Sequence, residues 1–195
     1  MSRRSMVAEV EARIAERLGP EACEHSMAVA RAAARLAEAY GVDPERAYLA
    51  GLLHDWAREM SGAELLSSAG EYGLEVSGVD DAVPYLLHAR VGARQVAEEF
   101  SGIDDDVVAA VSAHTFGDVE MSDLTRIVYI ADMIEPGRDF EGVEALRGAV
   151  GTVDLDELFA RAYSETLYHL VRDRRHIHPQ TVAVWNRIVE RGEAR

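Results

Sequence analysis

Apolar residues recur at a spacing of three to four along almost the whole chain, which is the periodicity of amphipathic helices. The pattern favours helices over 6–18, 21–40, 44–58, 80–100, 104–114, 122–133, 154–173 and 179–191, and a short helix after Ser61. No strand pattern, repeat or low-complexity tract stands out in the sequence. The weakly patterned stretches, about 70–80 and 135–153, are expected to be loops with short helical pieces.

Turn and cap residues support these boundaries. Gly41 stands where a C-terminal glycine ends a helix, and Asp43-Pro44 opens the next one. Glu135-Pro136-Gly137 must break the helix that precedes it. The sequence therefore predicts an all-α fold, a compact helical domain over 1–195.

The charge balance narrows the possible partners. The chain has 195 residues with 20 basic and 35 acidic side chains, a net charge of −15, which argues against binding to a nucleic-acid polymer. No apolar run is long enough to span a membrane, and no signal-peptide pattern begins the chain. Cys23 is the single cysteine, so a disulfide or a cysteine-based zinc site is not expected within one chain. These features predict a cytoplasmic protein with no membrane contact.

Titratable side chains recur on the apolar stripes of five successive predicted helices. His25 is the polar member of the stripe over 18–36, and other histidines and an aspartate hold equivalent positions later. An inward-facing charged group is costly unless it is paired or binds a metal. One buried histidine is most often a satisfied core residue, but a set of this size indicates metal ligands. The set is His25, His54, Asp55, His88, His114 and Asp132.

These donor types suggest a reaction class. Imidazole nitrogens and carboxylate oxygens suit divalent transition metals. Six donors exceed the need of one catalytic ion, whereas a shared carboxylate would let them hold two. Two ions can clamp an in-line displacement at phosphorus, so the set favours a hydrolase of phosphate esters or anhydrides. His169 has polar neighbours and is expected to be an ordinary surface or loop-facing histidine.

The order H…HD…H…H…D resembles the HD superfamily of metal-dependent phosphohydrolases. The segments that carry a closer resemblance are EHSMAVA, AYLAGLLHDWAR, LLHARVGA, AHTFG, RIVYIADMIEPGRDF and HIHPQT. In this order they are similar to the YqeK family, over about residues 20–186. Members of that family are symmetrical bis(5'-nucleosyl)-tetraphosphatases, which cut diadenosine tetraphosphate to two ADP.

The resemblance implies a role for each matching position. His25, His54, Asp55 and Asp132 would form a primary metal site, and His88 and His114 a second one that Asp55 bridges. Two divalent ions are implied, with iron as the expected metal and manganese or cobalt as alternatives, and a hydroxide shared by them as the nucleophile. Asp55, Arg58 and Arg138 would be catalytic. The implied substrate contacts are His25, His88, Thr115, Arg138, Arg175, Ile177 and His178.

The sequence departs from the family pattern at a few positions. Phe116 replaces a usual second threonine, so a phosphate contact is expected to be lost if that hydroxyl makes one. Trp56 and Arg58 replace an isoleucine and a lysine, and arginine keeps the charge while adding bidentate geometry. His176 replaces a proline before the IHP triplet.

Other functions stay open at this point. An HD hydrolase could act on another nucleotide, and a chain that has lost catalysis could serve as a nucleotide-binding sensor. A helical interaction module with buried histidines and no metal is a third alternative. Alanine-rich helix faces are compatible with core packing or with a homodimer interface, so the sequence leaves the oligomeric state undecided, along with the preferred base and the general acid.

Overall fold

A computed structural model of the chain describes residues 3–193 and, for side chains, 5–192. Within that range the fold is all-α, as the periodicity predicts, and contains no strand. The α-helices are α1 (Arg3–Arg17), α2 (Pro20–Tyr40), α3 (Pro44–Leu53), α4 (Gly62–Glu71), α5 (Gly78–Ala82), α6 (His88–Glu99), α7 (Asp105–Ala113), α8 (Asp123–Ile134), α9 (Val143–Ala149), α10 (Leu155–Arg172) and α11 (Pro179–Glu193). A short 3-10 helix, Pro84–Leu87, precedes α6.

The turn between α2 and α3 forms as its residues predict. Gly41 adopts a left-handed conformation, φ 73°, and its N–H donates to the carbonyl of Ala37. The side chain of Asp43 accepts hydrogen bonds from the N–H groups of Glu45 and Arg46. These contacts satisfy orphan backbone groups at both helix ends, so the boundary is fixed locally.

The helix expected over 44–58 is shorter in the structure. It ends at Leu53, and the chain continues as tight turns in which the N–H of Trp56 donates to Leu53 O and that of Arg58 to Asp55 O. Such three-residue hydrogen bonds wind the backbone more tightly than an α-helix. The consecutive residues His54 and Asp55 both reach the same cluster from this turn.

The segment expected to run from 80 to 100 is divided in three. Ser77 caps α5, ahead of the predicted start at 80, and Asp80 completes its capping box from the third helical position. Pro84 then separates α5 from α6, because proline lacks an N–H and restricts the residue before it. Val83 accordingly leaves the helical region, with φ −137° and ψ 72°.

Helices α2 and α3 cross at a glycine. A Cβ atom built on Gly51 would lie 2.7 Å from Cα of Ala30 and 2.9 Å from its nitrogen, so no side chain fits at this crossing. Because the two backbones approach so closely, His25 on α2 and His54 after α3 are brought side by side, with ring centroids 5.2 Å apart.

The core is continuous from α1 to α11 and is built of aliphatic and aromatic side chains around α2, α3 and α8. Trp56 is 1% exposed and its ring meets Phe100 edge-on.

Among the described residues no helix is both long and apolar enough to span a lipid bilayer.

Candidate metal centre

Five segments of the fold deliver their histidines and aspartates to one place. His25 comes from α2, His54 and Asp55 from the turn after α3, His88 from the start of α6, His114 from the residue after α7, and Asp132 from α8. His54, His88 and His114 are buried, and Asp55 is 2% exposed. Side chains more than a hundred residues apart in sequence thus form one cluster.

Asp55 lies at the centre of this cluster and divides it. Its Oδ2 lies 3.1 Å from Nε2 of His54 and 3.6 Å from Nε2 of His25. Its Oδ1 lies 3.2 Å from Nε2 of His88 and 3.7 Å from Nε2 of His114. Each carboxylate oxygen therefore faces a different pair of imidazoles, which is the arrangement of a bridging ligand.

The donors fall into two groups that share Asp55. In each of the sets His25–His54–Asp55 and Asp55–His88–His114, the ligand atoms lie within 4.8 Å of one another. Oδ1 of Asp132 lies 3.0 Å from Nε2 of His25, so it joins the first set. We call His25, His54, Asp55 and Asp132 the first donor group, and Asp55, His88 and His114 the second donor group.

Three imidazoles are oriented by their own backbone. Nδ1 of His54, His88 and His114 lies 2.8, 2.7 and 2.8 Å from a carbonyl three residues earlier in the chain. Since Nδ1–H donates to that carbonyl, Nε2 of the neutral ring presents a lone pair to the cluster. This is how metal-ligating histidines are commonly fixed in one tautomer.

Those lone pairs face other acceptors. Nε2 of His88 lies 3.0 Å from Nε2 of His114. Nε2 of His54 is buried and has no hydrogen-bond partner among the described residues. Facing acceptors need a proton or a cation between them, and a divalent cation would satisfy the whole set at once. The donor set therefore fits divalent metal ions.

His25 is oriented differently, by a residue that sequence reasoning missed. Its Nδ1 lies 3.3 Å from Oε1 of Glu135, a carboxylate 4% exposed that also accepts the N–H of Gly137. A carboxylate behind a ligand imidazole fixes the ring and raises its basicity. Glu135 stands in the EPGR segment, but only the fold brings it to α2.

Electrostatics favour ionised carboxylates in the cluster. Burial alone would raise the pKa of Asp55, but the imidazoles of His54, His114 and His88 outweigh it and hold that pKa well below its usual value. Burial also opposes ionisation of Asp132, yet its hydrogen bond with His25 and its electrostatic interactions with His54 and Arg138 lower its pKa. Both carboxylates are therefore in the form that ligates metals.

A pocket of about 290 Å³ opens over the cluster. Arg58, 35% exposed, pairs with Asp55, and Arg138, 37% exposed, pairs with Asp132 and donates through Nε to its backbone carbonyl. Thr115 also lines the pocket. The wall is completed by four residues to which sequence reasoning assigned no role, Tyr85, Tyr129, Met133 and Thr166. Of the cluster, Asp55, His88, His114 and Asp132 line the pocket, whereas His25 and His54 do not.

The loop that carries Arg138 is anchored from outside the pocket. Arg147 on α9 donates to the backbone carbonyls of Ile134, Glu135 and Arg138, at 3.0, 2.6 and 2.9 Å. One guanidinium thus fixes the C-terminal end of α8 and the turn that follows it.

Comparisons with known proteins show which family the chain belongs to. The family model described as HD domain matches residues 23–137, a range that includes all six proposed ligands. The chain is 35% identical to "Bis(5'-nucleosyl)-tetraphosphatase, symmetrical" of Halalkalibacterium halodurans, over 85% of this chain and 88% of that protein. It is 32% identical to the protein of the same name from Bacillus subtilis, with the same coverage. This chain belongs to the YqeK family of HD-domain proteins.

A solved structure extends the comparison. A protein of Clostridium acetobutylicum, described as a predicted HD superfamily hydrolase involved in NAD metabolism, superposes with a TM-score of 0.88 at 33% identity. The match covers 94% of this chain and 97% of that one. The likeness in fold to a solved HD-superfamily structure therefore extends over nearly the whole chain.

The IHP segment of the family lies apart from the pocket in this structure. Arg175 is exposed, Ile177 is half-buried, and neither lines the metal pocket. Nε2 of His178 lies 3.1 Å from Oγ of Ser77 and 3.3 Å from Oδ2 of Asp80, and its Nδ1 accepts the N–H of Gln180. The imidazole of His178 thus ties the segment before α11 to α5.

The departures from the family pattern have visible consequences. Phe116 stacks on His178, with ring centroids 4.1 Å apart, and does not line the metal pocket, whereas Thr115 does. His169 is half-buried and faces the loop between α8 and α9, where its ring meets Phe140 edge-on. Its Nε2 is buried without a hydrogen-bond partner among the described residues.

Proposed function

We propose that this chain is a metal-dependent hydrolase that cleaves diadenosine tetraphosphate symmetrically to two ADP. One observation carries the proposal: the two oxygens of the buried Asp55 face different donor groups beneath a pocket that two arginines border. Membership of the YqeK family supports the substrate, since curated members carry the name symmetrical bis(5'-nucleosyl)-tetraphosphatase.

The first and second donor groups would each hold one divalent ion, with iron as the proposed metal and Asp55 as the bridge. When bound, such ions lower the pKa of water and neutralise charge that develops at phosphorus. Neutral imidazoles and ionised carboxylates suit iron, manganese and cobalt alike, so the identity of the metal is decided by availability as much as by geometry.

The arginines would bind the phosphate chain. Arg58 and Arg138 now pair with carboxylates of the cluster. A carboxylate that ligates a metal offers fewer lone pairs to its arginine, which leaves guanidinium N–H groups for phosphate oxygens. The hydroxyl of Thr115 lies 3.4 Å from Nε2 of His114 and would donate to a phosphate oxygen beside the second group.

Affinity must come from these local contacts. With a net charge of −15, the protein as a whole repels a polyphosphate, so long-range attraction does not draw the substrate in. The positive charges that count are those of the ions and of the arginines at the pocket.

Further parts of the proposal stay predictions. A role of Arg175, Ile177 and His178 at the nucleoside end requires that they reach substrate from outside the pocket wall. A cytoplasmic location is also predicted, and a homodimer is one of the oligomeric states that the sequence leaves open.

Product analysis tests the proposal. Protein loaded with iron(II) or manganese(II) is incubated with diadenosine tetraphosphate, a deoxynucleoside triphosphate, a nucleoside monophosphate and a guanosine alarmone, and products are separated by anion-exchange chromatography. We expect two ADP from each dinucleotide and little turnover of the others. Release of ATP with AMP, or preference for another nucleotide, would overturn the symmetrical assignment. Tight nucleotide binding without turnover would indicate a sensor.

A further inference from the structure

Tyr85 is an exposed aromatic residue at the edge of the metal pocket. It is 45% exposed and lines the pocket beside Arg58 and Asp55. Its ring stacks on the imidazole of His88, with centroids 4.6 Å apart and planes inclined by 29°. The substrate-contact residues drawn from the family resemblance do not include it.

The position of Tyr85 is set by two contacts with the same histidine. It belongs to the 3-10 helix that follows the break at Pro84, and its carbonyl accepts Nδ1–H of His88 at 2.7 Å. The ring is thus held over one face of a ligand imidazole while much of the side chain remains accessible. A rigid aromatic surface with little rotamer freedom to lose is suited to binding a flat group.

The size of the pocket indicates where such a group would lie. About 290 Å³ is at the low end of the roughly 300–1,000 Å³ of ligand pockets, which is too small for a whole dinucleotide. A polyphosphate that reaches the donor groups must therefore leave its nucleosides at the rim. Of the described phenylalanine, tyrosine and tryptophan residues, Tyr85 and Tyr168 are exposed, and of these two only Tyr85 lines the pocket. Tyr129 also lines it but is buried.

We propose that Tyr85 is the platform on which one nucleobase of the substrate stacks, and that it selects nucleoside-bearing polyphosphates over inorganic ones. This inference rests on the proposed function. The state of the phenol is compatible with it: burial raises the pKa of Tyr85, and Asp55 raises it further although Arg58 opposes this. At neutral pH the ring is uncharged and does not repel phosphates.

Binding of products to the metal-loaded protein tests the proposal without relying on turnover. Dissociation constants for ADP and for inorganic pyrophosphate are measured by titration calorimetry on wild type, Tyr85→Phe, Tyr85→Leu and Tyr85→Ala. Base stacking on an aromatic side chain corresponds to roughly a tenfold change in affinity. We expect Tyr85→Ala to bind ADP about tenfold more weakly and pyrophosphate as wild type does. Tyr85→Phe should keep ADP affinity, and Tyr85→Leu should lose most of it.

Two controls make the outcomes distinct. Tyr168→Ala, a loss of an exposed tyrosine away from the pocket, should leave both constants unchanged. Metal content measured by elemental analysis should be equal in all variants, because the carbonyl that orients His88 is retained. Equal loss of ADP and pyrophosphate binding, or full ADP affinity in Tyr85→Ala, would overturn the stacking role. A wild type that binds ADP but fails to cleave the dinucleotide would instead count against the proposed function.

Discussion

The two donor groups of the metal centre are oriented by different means. His88 and His114 in the second group donate to carbonyls of their own segments, three residues earlier in the chain. His25 in the first group is oriented by Glu135, which lies 110 residues away in sequence. The second group therefore depends on local backbone geometry, whereas the first also depends on a loop that the rest of the fold must hold in place.

This difference has a structural cause. His88 and His114 stand at helix ends, where the chain offers a carbonyl three residues back within reach of Nδ1. His25 stands inside α2, beyond its first turn, where backbone carbonyls are used within the helix. A partner for its Nδ1 must come from another element, and Arg147 holds that element through three carbonyls.

The largest effect on metal binding and turnover should follow from removing Asp55, the ligand that the two donor groups share. Asp55→Ala should abolish binding of both ions and lower turnover at least about a thousandfold, because metal ions contribute several kcal/mol to such a transition state. Elemental analysis and hydrolysis assays check this. Asp105→Asn, an exposed aspartate on α7, is the control. Full activity in Asp55→Ala would exclude the two-metal mechanism.

Removal of one ligand of the second donor group should show that the two groups bind their ions independently. His114→Gln should halve the metal content and lower turnover by about a hundredfold or more, since one ion of a two-metal clamp is lost. The first group keeps all its donors and its Glu135 contact. Metal stoichiometry after dialysis is the measurement, and complete loss of metal would show that the groups are not independent.

Loss of Arg147, which holds the loop of Glu135 and Arg138 in place, should weaken metal binding at the first donor group only. Arg147→Gln removes donors to three carbonyls, so Glu135 and Arg138 are held less firmly. We expect binding of one manganese ion to weaken about tenfold, as for other residues that support ligands, with the other ion unaffected. Titration calorimetry distinguishes the two events.

A matched arginine variant serves as the control for that experiment. Arg161→Gln removes an exposed pair with Glu157 on α10 and should change neither constant. Equal weakening of both ions in Arg147→Gln would contradict the asymmetry between the groups.

The smallest effect on metal binding is expected from a network outside both groups. Burial opposes ionisation of Asp80, but hydrogen bonds from Ser77 and Arg90 lower its pKa. Its stabilising effect is therefore present above the usual aspartate pKa near 3.9 and lost as pH falls through the lower folded-state value. Asp80→Asn should lower Tm at pH 7 by several degrees, with a smaller difference in acid and unchanged metal content. Loss of metal would show that Asp80 also supports the cluster.

Much of the fold could be predicted because its signals are local. The glycine at position 41 and the cap at Asp43 act through backbone groups a few residues away. The early end of α3 and the division at Pro84 were missed because apolar periodicity continues across both. Periodicity reports which side chains face inward, and it is insensitive to whether the backbone makes four-residue or three-residue hydrogen bonds.

Part of the candidate site could be predicted from local sequence signals. The prediction was incomplete because the other residues of the site are brought there by tertiary packing. Inward-facing histidines and aspartates are visible as polar members of apolar stripes, and the family resemblance gave them an order. Glu135, Arg147 and Tyr85 do not stand out in the sequence as polar members of an apolar stripe. Their roles depend on which loop or helix end lies next to the cluster, and this is decided by packing rather than by spacing in the sequence.

Gly51 links the packing of the molecule to its chemistry. It lies at the crossing with Ala30, and its own carbonyl is the one that His54 uses. Replacing helical glycines with alanine is a common way to raise the thermal stability of an enzyme. Gly148, with open space around it, is a suitable target. At Gly51 the same change would push two helices apart and tilt a ligand with them, so engineering for heat resistance should leave this residue alone.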